Sequence, residues 1–209
     1  FLSGYFGNDV FTFDDADNNL NFSLPWGNST ATFRWNHVWN QKLFSNTTVT
    51  YNDYKFKVEA GFRDIKFELR SNVRDYSIKQ DFDFYHNAAH KIKYGFEYTF
   101  HQFKPYSTTV TLGDSLVPPI DKAKYAHQFA MYGLDEFDIG ARIKINTGLR
   151  ISYFTNVGPF EKTVFDEYGR AIDTLTYGAN QQIATYGGFE PRVSLRYLLN
   201  TTSSIKMSY

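Results

Sequence analysis

Apolar and polar residues alternate along most of this chain, which is the period of an extended strand with two unlike faces. Between Lys91 and Phe103, the residues Ile92, Tyr94, Phe96, Tyr98 and Phe100 fall on one face. Lys91, Lys93, Gly95, Glu97, Thr99 and His101 fall on the other. A helix would scatter those aromatics around its circumference. The split recurs at 28–39, where Ala31, Phe33, Trp35 and Trp39 oppose Thr30, Thr32, Arg34 and Asn36. It recurs at 142–155, with Ile143, Ile145, Leu149, Ile151 and Tyr153 against Arg142, Lys144, Asn146, Gly148, Arg150 and Ser152. At 190–199, Val193, Leu195, Tyr197 and Leu199 oppose Arg192, Ser194 and Arg196, and 204–209 begins another run. Weaker alternation marks 1–13, 43–54, 65–85 and 126–137. The pattern predicts about nine strands and no helix. Within 65–85 the apolar positions switch from odd (Ile65, Phe67, Leu69) to even (Tyr76, Ile78, Phe82, Phe84), which predicts a β-bulge near Val73 to Asp75.

The connections alternate too. Short turns are expected at 40–42, 86–90, 138–140 and 200–203, and long polar loops at 14–27, 53–64, 104–124 and 156–187. The loop at 104–124 carries Gly113, Pro118 and Pro119. An antiparallel meander with its short turns at one end and its long loops at the other follows. Outer-membrane barrels separate loop lengths in this way, whereas soluble sandwiches do not. The faces agree. The polar one carries Arg34, Lys93, Glu97, Arg142, Lys144, Arg150, Arg192 and Arg196 as expected lumen-facing residues. Near the turns, Trp35, Trp39, Phe44, Phe84, Tyr85, Phe137 and Tyr197 are placed to form aromatic girdles, where a ring is apolar at one end and wet at the other. The fold predicted is all-β: a partial, antiparallel up-and-down transmembrane β-barrel.

Composition supports this. Tyr (16), Phe (21) and Trp (3) make 19% of the 209 residues, yet mean hydropathy is −0.45, so apolar weight sits in aromatics rather than in a Leu/Val/Ile core. No apolar run approaches the ~18 residues of a membrane helix. Lys plus Arg and Asp plus Glu are both 22, and that balance excludes a basic nucleic-acid binder. With no cysteine, a disulfide framework and a thiolate metal site are excluded. Phe1 and Tyr209 both fall inside alternating runs, with no signal peptide before the first. The chain is expected to be an interior piece of a longer mature protein.

The stretches WGNSTATFRWNHVWNQKLFSNTTVTYNDYKF (26–56), DYSIKQDFDFYHNAAHKIKYGFEYTFHQFKP (75–105), INTGLRISYF (145–154) and GFEPRVSLRYLLNTTSSIKMSY (188–209) carry a family likeness through their order. Together they make the chain resemble the barrel of TonB-dependent receptors, in particular those of the Bacteroidetes type. That resemblance implies a parent barrel of about 22 strands, of which residues 1–209 supply somewhat under half as part of one barrel domain. It implies a plug domain and a TonB-contacting segment outside this chain. It implies energised uptake, in the bacterial outer membrane, of a scarce nutrient: iron chelate, cobalamin, glycan or peptide. The partners implied are membrane lipid, the nutrient and TonB acting through the plug. A surface lipoprotein partner is left open. A passive porin is the alternative, distinguished by the lack of a plug sequence upstream. A soluble or surface-anchored β-rich adhesin is a third, distinguished by extraction without detergent.

Candidate chemistry is sparse. An EF-hand loop starting at Asp15 would need Gly sixth and Glu twelfth, where Leu20 and Trp26 stand, so the acidic stretch 14–19 reads as a solvated loop. His86 and His90 flank a turn rather than share a helix face, so no metal site is expected there. The sequons at Asn21, Asn28, Asn46 and Asn200 read as turn and lumen residues. Pro191, within Glu190-Pro191-Arg192, is expected at the first residue of a strand. No catalytic arrangement and no cofactor site stand out. From residue type alone, Tyr106, Tyr125, Phe160, Tyr168, Tyr177 and Tyr186 are the stacking candidates for a sugar ligand at the long loops.

Overall fold

The computed structural model describes residues 1–87, 89–112, 115–117 and 122–209, so Gly113, Pro118 and Pro119 lie outside the described residues. The strands are β1 (Leu2–Asp15), β2 (Leu20–Val38), β3 (Leu43–Phe62), β4 (Ile65–Tyr85), β5 (His90–Leu112), β6 (Ser115–Val117), β7 (Lys124–Ile139), β8 (Ile143–Val157), β9 (Phe160–Phe165), β10 (Ala171–Tyr177), β11 (Gln182–Leu198) and β12 (Ser204–Ser208). Nine of them form one antiparallel meander in the order β1-β2-β3-β4-β5-β7-β8-β11-β12, with β6 on β5. β9 and β10 make a separate two-stranded sheet. β1 and β12 are the two open edges.

No second layer covers this sheet among the described residues. Among the described residues the buried hydrophobic ones are Ala126, Ala130 and Val157, while Tyr94 (41%), Phe96 (39%) and Ile151 (45%) are open on one face. A soluble sheet buries such a face against helices or another sheet. Here the register collects it into a continuous band. Tyr76 stands opposite Phe100, Ile78 opposite Tyr98 and Phe82 opposite Tyr94, with Met131 opposite both Phe96 and Ile151. From Ile92 to Phe100 the band is nine residues long, the length a tilted strand needs to cross a bilayer. A row of rings closes it: Tyr51 to Tyr76 (5.3 Å between centroids), Tyr76 to Phe100 (6.4 Å) and Phe100 to Tyr125 (6.0 Å). Polar groups inside the band pair with one another, as hydrocarbon demands. Thr47 Oγ1 donates to Gln80 Oε1 (2.5 Å), Trp39 Nε1 donates to Ser45 Oγ (2.9 Å), and Tyr98 Oη bonds His127 Nδ1 (2.8 Å).

The four short turns are where alternation placed them, within a residue or two. Asn40, Asn87 and Asn200 each fold a carboxamide oxygen back onto two backbone N–H groups at distances of 2.8–3.0 Å, which helps to fix a tight turn. Gly140 supplies the left-handed residue (φ +61°) in the fourth.

The other end differs from expectation. The stretches 53–62 and 104–112 are strand rather than loop, only 63–64 is turn between β3 and β4, and between β1 and β2 only 16–19 is turn. Pairing continues past the ring row with the two faces exchanging character. Lys55, Lys57 and Glu59 take the side of Tyr51, while Tyr54, Phe56 and Val58 take the opposite side. This exchange also explains Ile65, Phe67 and Leu69. The β3–β4 register runs unbroken from Leu43↔Phe84 to Phe62↔Ile65, so no bulge lies at Val73 to Asp75. Past the ring row the apolar residues change sides. An irregularity does exist one strand over. Arg70 pairs with Ser107 and Asn72 with Lys104, so β5 spends Pro105 and Tyr106 where β4 spends Ser71.

Pro191 is a further correction. It lies within β11, opposite Leu149. Val193 exchanges hydrogen bonds with Tyr209, so the nitrogen of Pro191, two residues away, points to the β12 side of β11 and not to β8. No donor is missed in the β8–β11 ladder.

Candidate functional site

Opposite the aromatic band, the charged face carries a ladder of pairs. Lys79 meets Asp81 (3.3 Å), Lys93 meets Asp83 (3.2 Å), and Lys144 contacts Glu136. Arg150 reaches Glu97 (3.3 Å) and Glu190 (4.0 Å), and Arg192 reaches Glu190 (3.3 Å). Tyr132 hydrogen-bonds Asp81 while Lys79 and Arg150 stand 5.6 and 5.9 Å from its ring centre. Further up, His101 Nδ1 bonds Asp75 (2.8 Å) and its Nε2 bonds Gln128 (3.2 Å). A hollow of about 430 Å³ opens on this face between Arg34, Asn46, Lys79, Asp83 and Lys93.

Seven of the eight residues expected on the polar face keep that parity in the sheet. Arg34, Lys93, Glu97, Lys144 and Arg150 belong to the central cluster, with Arg192 and Arg196 more open on β11. Arg142 lies in the β7–β8 turn, its carbonyl accepting from Leu198 N (2.8 Å). Their partners Lys79, Asp81, Asp83 and Tyr132 escaped the sequence reading, although Asp81 and Asp83 alternate with Phe82 and Phe84 and were open to it. Two girdle residues are corrected. Phe44 and Tyr85 pack edge to face (5.8 Å) on the charged side, because their parity is opposite to that of Trp35, Phe84, Phe137 and Tyr197.

At the extended end, the side facing inward is apolar. Trp26 pairs with Phe56, Val58 with Leu69, and Phe67 with Ala60. Sequence reading missed this patch, because segments without strand-length alternation were taken for loops. Of the six stacking candidates, Tyr168 (75% exposed) sits at the tip of the β9–β10 hairpin, with Arg170 over its ring (5.4 Å). Phe160 and Tyr177 close the base of that hairpin, 6.5 Å apart, and Lys124 covers Phe160 (5.6 Å). Tyr106 is exposed in the β5 irregularity, and Tyr186 pairs with Phe154 on the charged face. Tyr125 is different: its ring packs on Phe100 in the outward row, which turns it away from the loop cluster.

Burial pushes the Glu68 carboxyl up, but hydrogen bonds from Lys57 (2.8 Å) and Arg70 (2.6 Å) outweigh it and hold the group below its ordinary value. Hydrogen bonds to Glu59 and Glu68 hold Lys57 above the usual lysine value. In the β1–β2 turn, the Asn18 side chain and backbone hold Asp15 below the ordinary carboxylate value. His90 leaves His86 for Asp135 (2.8 Å) and stacks on Phe137.

Residues 2–209 match the profile of the family described as TonB dependent receptor-like, beta-barrel. This chain belongs to that family. In such a barrel the charged ladder lines the interior and the aromatic band faces out. Among solved structures, the TonB-dependent receptor barrel segment is similar to the crystal structure of the ferric-catecholate import receptor Fiu from K12 E. coli in its closed form. The match has a TM-score of 0.54 at 14% identity, over 88% of this chain and 32% of that one. The chain thus spans about a third of that receptor's length. None of the curated proteins matches it.

Proposed function

We propose that this chain is wall and rim of an outer-membrane TonB-dependent receptor of the Bacteroidetes type, which takes up a scarce nutrient such as an iron chelate, cobalamin, a glycan or a peptide. The observation that carries the reading is the pairing of an outward aromatic band with an inward ion-pair ladder on the same strands. Transport in this scheme is powered from the inner membrane through TonB and a plug domain outside these residues. The interior ladder offers the plug a charged, hydrated wall. The ligand contacts contributed here come from the extended end, which faces outside the cell. Tyr106, Phe160, Tyr168, Tyr177 and Tyr186 stack on the ligand there, and the apolar inner patch around Trp26 and Phe56 backs them.

The β9–β10 hairpin tests this. It forms its own sheet, so excising 161–176 removes two strands but none from the wall. The intact receptor so trimmed should assemble normally and bind its nutrient more weakly. Unchanged binding, or protease access to the hairpin only from the periplasmic side, would contradict the placement.

A further inference from the structure

The outward face changes chemistry just where its apolar band ends. One outward row beyond Tyr51, Tyr76 and Phe100 stand Asp53, Arg74 and Gln102, about 7 Å further along the strands. From that row on, the outward face of β3, β4 and β5 carries the cations Lys55, Lys57, Lys66, Arg70, Arg74 and Lys104. Three carboxylates share the face: Asp53, Glu59 and Glu68. The carboxylates are divided between cations. Asp53 serves both Lys55 (3.2 Å) and Arg74 (3.5 Å), and Glu68 serves both Lys57 (2.8 Å) and Arg70 (2.6 Å), while Glu59 meets Lys57 as well (2.5 Å). Even with Lys104 set aside, five cations face three carboxylates on this side, and Lys55, Lys57, Arg70, Arg74 and Lys104 line a groove of about 800 Å³ together with Glu68. A barrel wall is hyperbolic, so a face convex around the barrel is concave along it. Among the described residues, the Nε of Arg74 is enclosed and has no hydrogen-bond partner. A buried donor in that state costs free energy until an acceptor oxygen reaches it.

We propose that this groove binds the phosphate-bearing headgroup of a lipid in the leaflet around the barrel. The proposal rests on the aromatic face being the lipid face. Guanidinium and ammonium groups match phosphate oxygens in charge and donor geometry. The position selects the source: the groove opens outward, directly above the ring row, where headgroups lie, and away from the lumen where a transported anion would pass. Asn72 lines the groove and donates to the buried Asp53 (2.6 Å), while Lys55 and Arg70 line it with exposed side chains.

Native mass spectrometry on the purified receptor carrying this chain, in uncharged detergent, tests the idea with diphosphoryl lipid A as probe. Dephosphorylated lipid A and inorganic phosphate are the comparisons. The variant joins Lys55→Gln and Arg70→Gln, whose side chains are 68% and 63% exposed, so assembly is retained and is checked by heat-modified gel mobility. Each cation near a membrane surface is worth about fivefold in affinity, so the pair should weaken lipid A binding about 25-fold. Dephosphorylated lipid A should bind weakly and equally to both proteins, and phosphate should not displace lipid A. Equal binding of lipid A to both proteins overturns the proposal, and so does phosphate competing as well as the lipid. A receptor that extracts without detergent overturns the membrane reading itself, whereas one that needs detergent but ignores phosphorylation overturns the groove alone.

Discussion

The Tyr132 ring lies across Gly95, its cross-strand neighbour on β5: a β-carbon at Gly95 would stand 2.7 Å from Tyr132 Oη and 3.0 Å from Cζ. That bare position lets Tyr132 on β7 cross β5 and hydrogen-bond Asp81 on β4. One glycine thus ties three strands of the interior wall through a single hydroxyl. Gly95→Ala should cost about 1–3 kcal/mol of barrel stability by overpacking, read as a denaturant midpoint in lipid vesicles. In a Tyr132→Ala background the cost should shrink but persist, because the same β-carbon also collides with the Gln80 carbonyl. Equal costs in both backgrounds would remove the ring from the account.

Phe96 is the central residue of the Ile92–Phe100 band, and Glu97 beside it faces the ladder. Phe96→Arg should cost about 2–4 kcal/mol, the range for a cation on the lipid face at the midplane. Glu97→Gln should cost less, since Arg150 keeps Glu190 at 4.0 Å. Equal losses in a refolding assay of the whole barrel would contradict the assignment of faces.

The hairpin tip should respond to acid. Asp166 accepts backbone N–H bonds from Arg170 and Tyr168 (2.9 Å each) and the Arg170 Nε (2.7 Å). These bonds, the Arg170 backbone first, hold its carboxyl below the ordinary value of 3.8. A group with a depressed folded value stabilises fully above its unfolded value and loses that contribution as pH falls through the folded one. Amide exchange at Tyr168 and Arg170 should therefore accelerate as pH drops below about 4, beyond the intrinsic trend, and Asp166→Ala should show the fast rate throughout. Protection that ignores both changes would mean that the carboxylate does not hold the turn.

What the sequence made legible follows one rule: alternation reports two unlike environments, not strand as such. Where lipid faces interior, as from Ile92 to Phe100 or Ile143 to Tyr153, the period was plain and both faces were assigned. Past the ring row the outward face is wet. Lys55 and Lys57 then replace Tyr51 while Phe56 and Val58 move inward, and the same pairing read as loop. The change of parity in β4 came from that exchange and not from an inserted residue. Pro191 misled because its safety depends on which side of β11 its nitrogen faces, a fact of pairing with β12. Tyr125 misled because its position just after a long connection gave no hint of a ring already occupied by Phe100. The interior partners Asp81 and Asp83 were readable, since they alternate with Phe82 and Phe84. Their match to Lys79, Lys93 and Tyr132 needed the register.

The central claim is that one face of each strand meets lipid, the other meets the lumen, and the extended end lies outside the cell. The chain contains no cysteine, so single cysteines along β5 report cleanly on this wall. The measurement is labelling of the receptor in intact cells by a membrane-impermeant thiol reagent, with Tyr94→Cys, Phe96→Cys and Tyr98→Cys set against Lys93→Cys, Glu97→Cys and Tyr168→Cys. The account predicts rapid labelling at 168, slower labelling at 93 and 97 through the lumen, and none at 94, 96 and 98. Labelling at 94, 96 and 98 equal to that at 93 and 97, or no labelling at 168 until the cells are broken, would contradict it.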